Sequence, residues 1–476
     1  MKAAIAFIAA ACAILAAMYQ ISCNQAEIKP ETNSPRRSIF AKSDPDDIWA
    51  QYARNENHDT FVGGKLGELR LVERVPGEPI FEKQGLQQGG VIYAGGKLFV
   101  PDDQGRILCV DALTGERIWQ TRKQLPPGRF HVGGRYYKGV LFYGTMPGGL
   151  RAIDANSGNL LWESEGAEQM GGVRTIPVIR DGRLYFADTE SRFYCTDAET
   201  GKTIWTKSLA HSEPCDADPV FALGNVIFAT PAGILYSLNA ESGSVEWAAS
   251  FFLSLLATPA LAEENLYLTC SDKGLYEVDA EDGRTRLLLS LEGGSTGVPL
   301  VHDGKTIIGD ERNFLYCVNS KDASVEWKIE LPTPPGGLTL GFEDAVVTIC
   351  SIHEPIDFTL PRARGELEDY VRRKQPFRGI SMEQWREATK GPDGEKAGEE
   401  LVRNPPEVDT RKVVEANGNG YTMLAAKRAE AVVISWDGTI LQRIALPTAL
   451  QSAPVCSKDA IYALDTDGYF QVLKFG

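Results

Sequence analysis

Val110-Asp-Ala-Leu-Thr-Gly-Glu-Arg-Ile-Trp119 returns as Ile153-Asp-Ala-Asn-Ser-Gly-Asn-Leu-Leu-Trp162, Thr196-Asp-Ala-Glu-Thr-Gly-Lys-Thr-Ile-Trp205 and Leu238-Asn-Ala-Glu-Ser-Gly-Ser-Val-Glu-Trp247. A weaker copy, Val278-Asp-Ala-Glu-Asp-Gly283, has Leu287 in place of Trp, and Val318-Asn-Ser-Lys-Asp-Ala-Ser-Val-Glu-Trp327 has Ala323 in place of Gly. The anchors at 119, 162, 205, 247, 287 and 327 are 43, 43, 42, 40 and 40 residues apart. That period is the length of one four-stranded propeller blade. Degenerate copies at Pro76-Gly77-Glu-Pro-Ile-Phe81 and Asp437-Gly438-Thr-Ile-Leu-Gln442 bring the count to eight. The fold class is therefore all-β, an eight-bladed β-propeller.

Each copy reads as strand, tight turn, strand. Asp or Asn opens the turn by bonding its own backbone, and Gly takes the positive φ that a side chain resists. The Trp four residues after the Gly is expected to pack between blades, so Trp119, Trp162, Trp205, Trp247 and Trp327 are structural. Two further β-branched-rich strands precede each turn, as in Thr175 to Phe186 and Asp218 to Phe228. Ring closure removes the exposed edges. Strands between Ser452 and Phe475 need a partner, and Glu68 to Glu82 can supply it, so the N- and C-terminal segments are expected to share one blade.

The first 23 residues read as a signal segment: Lys2, then an apolar run of 16 residues from Ala3 to Met18, short for a membrane span of roughly 20. Gln20-Ile21-Ser22-Cys23 resembles a bacterial lipobox, with Gln20 where Leu is usual. Lipidation of Cys23 and ordinary cleavage nearby both remain open, and either implies export, to a periplasm or to a membrane by a lipid anchor. Residues 24–60 are expected to be a flexible tether and residues 61–476 the propeller. The net charge of −15 argues against nucleic acid or an anionic membrane surface as partner. Past the signal stand Cys109, Cys195, Cys215, Cys270, Cys317, Cys350 and Cys456, an odd number without a C-x-x-C, which excludes structural zinc and c-type haem. Cys109, Cys195 and Cys317 share one register, six residues before the turn Gly or Ala, and read as core.

The D-A-x-T-G-x-x-x-W pattern resembles the tryptophan-docking motif of PQQ-type (quinoprotein) propellers, from about Phe61 to Gly476. That family contains PQQ- and calcium-dependent dehydrogenases and catalytically silent relatives such as the BamB lipoprotein of outer-membrane assembly. The resemblance implies for the enzyme branch a vicinal Cys-Cys pair and a Trp floor under the quinone. This chain has no Cys-Cys, and only Trp49, Trp385 and Trp436 stand outside the docking positions, so no catalytic residue carries over. The expected function is a non-catalytic envelope protein-interaction scaffold without cofactor, as a monomer or within a larger assembly. The alternative is a PQQ- and calcium-dependent oxidoreductase.

Inner strands align on Pro177, Pro219, Pro259, Pro299 and Pro454. Residues three upstream, extended to the first blades, give a polar channel mouth of Gln88, His131, Arg174, Asp216, Thr296 and Gln451, the candidate ligand-binding set. A hydrated channel without ligand is the plainer reading of the same set. Asp188 with Glu190 and Asp310 with Glu311 read either as calcium-binding pairs or as solvated turn carboxylates. Residues 353–415 form a charged, partly helical insertion in the seventh blade, with capping-box-like Ser381 to Gln384 before Trp385 and helical composition from Gly365 to Lys374.

Overall fold

The computed structural model describes residues 38–41, 43, 48–49, 58, 60–72, 90–101, 106–121, 129–130, 133–146, 148–209, 215, 217–251, 257–295, 297–355, 424–450 and 452–476. The chain divides into Met1–Ala41 and Lys42–Gly476, and the second unit carries every strand described below. Signal, lipobox and Cys23 lie outside the described residues, as do Pro76-Gly77 and most of the insertion.

Eight antiparallel sheets follow one another along the chain, the eight blades. Blade three shows the plan: Val178–Arg180 innermost, then Arg183–Ala187, Arg192–Asp197 and, outermost, Thr203–Ser208. The eighth sheet is closed from both ends of the sequence. Leu69–Val72 pairs outside Phe470–Phe475, with Leu69 opposite Phe475, so the closing strand falls within the expected Glu68 to Glu82. That blade therefore needs no third turn of its own. In blade seven the middle strands lengthen to Ala345–Pro355 and Leu424–Ser435. His353 to Pro355 are thus strand rather than the start of the insertion, which leaves the blade after Pro355.

The turns form as their sequence dictates. Asp111 Oδ1 accepts the amides of Leu113 (2.9 Å) and Thr114 (2.8 Å), and these bonds lower its pKa. Asp154, Asp197 and Asn239 repeat the arrangement. Each Trp then reaches the next blade. The indole Nε1 of Trp119, Trp162, Trp205 and Trp247 donates to the carbonyls of Ala155, Ala198, Ala240 and Ala280 at 3.2, 3.2, 3.0 and 3.1 Å. The ring lies against the next turn glycine: a Cβ on Gly158 would stand 2.6 Å from Trp119, and one on Gly201 2.7 Å from Trp162. Glycine is required there twice over, by φ near 72° and by the ring. Across the strand pair each Trp faces a small residue: Cys109, Ala152, Cys195, Ser237 or Cys317. The shared cysteine register is thus a size requirement.

Blade five departs from the plan, and the residue that docks it is Arg286, not Leu287. Arg286 donates from Nη1 to Lys321 O at 2.9 Å and from Nη2 to Ser320 O, the carbonyl that a Trp would otherwise engage. Glu277, in the place of the small residue, holds Nε at 2.8 Å and accepts Tyr267 OH at 2.8 Å. Leu287 is 48% exposed. With no indole in front of it the next turn tolerates Ala323, at φ 63°. Blade seven substitutes again: the Gln442 amide donates to Leu69 O (2.7 Å) and accepts Leu69 N (3.3 Å), docking directly onto the closing strand.

The two turns give opposite expectations. Gly158→Ala adds left-handed strain and a clash with Trp119, and should cost about 2–4 kcal/mol. Ala323→Gly relieves strain without opening a contact and should range from neutral to about 1 kcal/mol stabilising. Urea midpoints of the two variants check this; equal losses would show that the ring does not set the glycine requirement.

Candidate functional site

The inner strands begin at the prolines, and the residues just before those prolines lace adjacent blades together. Ile176 N donates to Asp218 Oδ1 at 2.7 Å, and Asp218 N donates to Thr258 Oγ1 at 3.1 Å. Val298 bridges Leu338 in parallel. Proline supplies no N–H, so these bonds fall on the preceding residue.

The inner edges of the ring carry residues from before the first blade. Ile48–Trp49 pairs antiparallel with the inner edge of blade one, Ile48 opposite Ala94 and Trp49 opposite Tyr93. Trp49 is 1% exposed, in a cluster with Val91, Tyr93 and Val455 of blades one and eight. His58 is also 1% exposed, with Nδ1 3.1 Å from Pro259 O and Nε2 3.9 Å from Asp218 Oδ2, on blades five and four. Blades one and five face each other across an eight-membered ring, so Trp49 and His58 stand on opposite inner edges. Residues 60–66 stand on blade seven. Gly341 N donates to Thr60 O at 3.0 Å, Val62 N donates to Gly341 O at 2.6 Å, and Leu66 N donates to Asp344 Oδ1 at 2.8 Å. Phe61 stacks on His302, centroids 3.5 Å apart, and His302 leans on Trp436 at 5.6 Å. Of the span expected to be a tether, 24–60, residues 48–49, 58 and 60 are thus bonded to the blades. No periodicity announces it; the isolated Trp49 was its one signal.

Of the proposed channel-mouth set, Arg174 is half-buried between Val173 and Thr175, ahead of the inner strand of blade three. Gln88, His131, Asp216, Thr296 and Gln451 lie outside the described residues. Of the carboxylates flagged for calcium, Glu190 and Glu311 are exposed, whereas Asp188 and Asp310 are buried and hydrogen-bonded rather than solvated. Asp188 is fully buried and accepts the amides of Gly171, Glu190 and Arg192, Arg192 Nε and Tyr194 OH. Asp310, 2% exposed, accepts the amides of Gly293, Arg312 and Phe314 and Tyr316 OH. Donors that saturate both oxygens leave nothing for a metal, and among the described residues no three of His, Cys, Asp and Glu gather as a cation would need. Burial, helped by the neighbouring carboxylate, pushes the Tyr316 phenol up to about 12.

A cavity of about 140 Å³ opens between blades six and seven, walled by Gly294, Ser295, Gly309, Glu311, Pro335 and Thr339. The seven described cysteines are buried and unbridged. Burial raises the Cys195 thiol to about 11, and Cys109, Cys317 and Cys350 to about 12. The reactive thiolate is therefore scarce at neutral pH. A maleimide at pH 7.5 should label none of these four in the folded protein and all of them in denaturant, as read by peptide mass mapping.

A family model described as outer membrane protein assembly factor BamB matches residues 146–293 and 194–349. BamB from Moraxella catarrhalis superposes with a TM-score of 0.54 at 15% identity, over 86% of this chain and 98% of that one. The quinohemoprotein alcohol dehydrogenase from Comamonas testosteroni superposes with a TM-score of 0.59 at 11% identity, over 90% and 80%. The computationally designed Ika8 protein gives 0.55 at 10%, over 84% and 100%. At these identities the structural likeness is one of fold. No curated protein matches the chain.

Proposed function

We propose that this chain, a PQQ-like β-propeller, is a non-catalytic scaffold of the bacterial envelope that works by binding other proteins. The observation that carries this reading is that Trp49, His58 and Thr60 to Val62 sit on the inner edges of blades one, five and seven, facing the axis where a dehydrogenase of this fold would need room for quinone and calcium. A bound quinone needs stacking surfaces above and below it and a cation with at least three oxygen or nitrogen ligands. Here Trp49 and His58 are buried against the inner edges of blades one and five, Asp218 is already bonded to the Ile176 amide, and the sequence offers no Cys-Cys. The residues present do not fit the group.

Export, with or without a lipid at Cys23, belongs to the same proposal and rests on the sequence of the first 23 residues. The ring faces and the long hairpin of blade seven would then meet the partners.

Calorimetric titration of the protein with PQQ and calcium tests the absence of catalysis. The expected result is no saturable heat and no rise in melting temperature. A true ligand at a hundred times its Kd would stabilise the fold by about 2.7 kcal/mol, which a melting curve reads easily. Saturable binding with such a rise would overturn the scaffold reading in favour of the oxidoreductase.

A further inference from the structure

We infer that the cavity between blades six and seven is a docking site for the first residue of a partner polypeptide, its apolar side chain inside and its α-ammonium on Glu311. The inference rests on the scaffold reading and names the part of the partner that is gripped. The cavity forms where two inner strands run side by side. Val298 bridges Leu338 in parallel, and the pairing of Pro335–Gly341 with Ala345–Pro355 shifts register between Pro335 and Thr339. The residue two before the inner-strand proline explains why room remains. Blade three has Thr175 there, buried, with its hydroxyl bonded to the amide (3.1 Å) and the carbonyl (3.2 Å) of Ala187. Blades four, five and eight have Ala217, Ala257 and Ser452, whereas blade six has Gly297, and Gly309 where blade three has Ala187. A Cβ on Gly309 would collide with Pro335, so that glycine lets the next blade close the wall. The missing side chain at 297 leaves the space itself open.

Size and charge choose the occupant. At about 140 Å³ the cavity matches one compact side chain. An apolar protein cavity of roughly 150 Å³ holds a single benzene ring, and drug-sized ligands need about 300 Å³ or more. The floor is apolar: Val298, Ile308 and Leu338 are all buried. The rim is anionic. Glu311 is exposed, and among the described residues its carboxylate has no hydrogen-bond or ion-pair partner. No Lys, Arg or His lines the cavity. Arg312 packs over Gly293 instead, and the Lys328 ammonium of the same blade is held by Glu292 and lies over Phe314. A ligand with an apolar body and a cation beside it complements both floor and rim. A lysine side chain does not, because its charge is at the tip and would enter the apolar floor. The first residue of a chain carries its ammonium next to its side chain, and amino-terminal capture is a recurring mode of peptide recognition.

The test uses the full chain and leucyl-glycyl-glycinamide, followed by saturation-transfer NMR. The leucine methyls should receive saturation from the unaltered protein. N-acetylation of the peptide should weaken binding about ten-fold, the loss of one charge-assisted contact. Glu311→Gln should do the same, and since that side chain bonds nothing among the described residues the fold is kept. Gly297→Thr, which restores the residue of blade three, should abolish binding with the melting temperature unchanged or higher. Nα-acetyl-lysinamide should give no signal. Equal binding of the acetylated peptide, or no effect of Glu311→Gln, overturns the inference. Isoamylamine binding as tightly as the peptide overturns it in favour of a site for free small amines. Binding of none of these probes overturns it and leaves the scaffold reading, which titration with PQQ and calcium tests separately.

Discussion

An indole laid over a glycine turn is the contact on which this ring depends. Each docking Trp bonds a turn carbonyl of the next blade, and its ring covers the surface that a Cβ on the turn glycine would fill. The contact joins neighbours only, so the ring is a chain of pairwise interfaces, each built from one outer strand and one turn. The requirement propagates inward as well. A large ring on the outer strand demands Cys, Ala or Ser opposite it, and the buried thiols are one answer to that demand.

The exceptions confirm the mechanism because they change as a set. Where blade five has no docking Trp, the small residue becomes Glu277, an arginine reaches the turn carbonyls, and the following glycine becomes Ala323. Indole, small partner and glycine are one unit, and so are arginine, glutamate and alanine. A partly exposed ion pair adds little by itself, so its contribution here lies in the backbone carbonyls that it caps.

Architecture was readable from the sequence because a repeat of about 42 residues leaves few alternatives and because closure needs only one spare strand. The five Trp were legible for the same reason. Arg286 was missed because the bulge in blade five falls between Leu275 and Tyr276, two residues earlier than its place in blade one, so the docking side chain sits three residues after the glycine rather than four. The candidate site was far less legible. A polar channel mouth was drawn by aligning inner strands, but that alignment carries no information on whether something else lies along the axis. Trp49 and His58 belong to no repeat and precede the first one. Their role depends on contacts with residues such as Tyr93 and Pro259, far along the chain, which local pattern does not encode. The carboxylates at 188 and 310 were misjudged because sequence shows the charge and hides the amides that surround it.

Joining Leu69 to Phe475 has a consequence for how the molecule is made. The two strands lie about 400 residues apart, so this pairing has a high loop-closure cost and must come late in folding. Throughout synthesis the early strand waits without its neighbour, and blade eight cannot be finished until the last residues are available. Any truncation at the carboxyl end therefore removes not a peripheral blade but the clasp itself, leaving two unpaired edges on an otherwise complete set of repeats, which is the condition that favours aggregation.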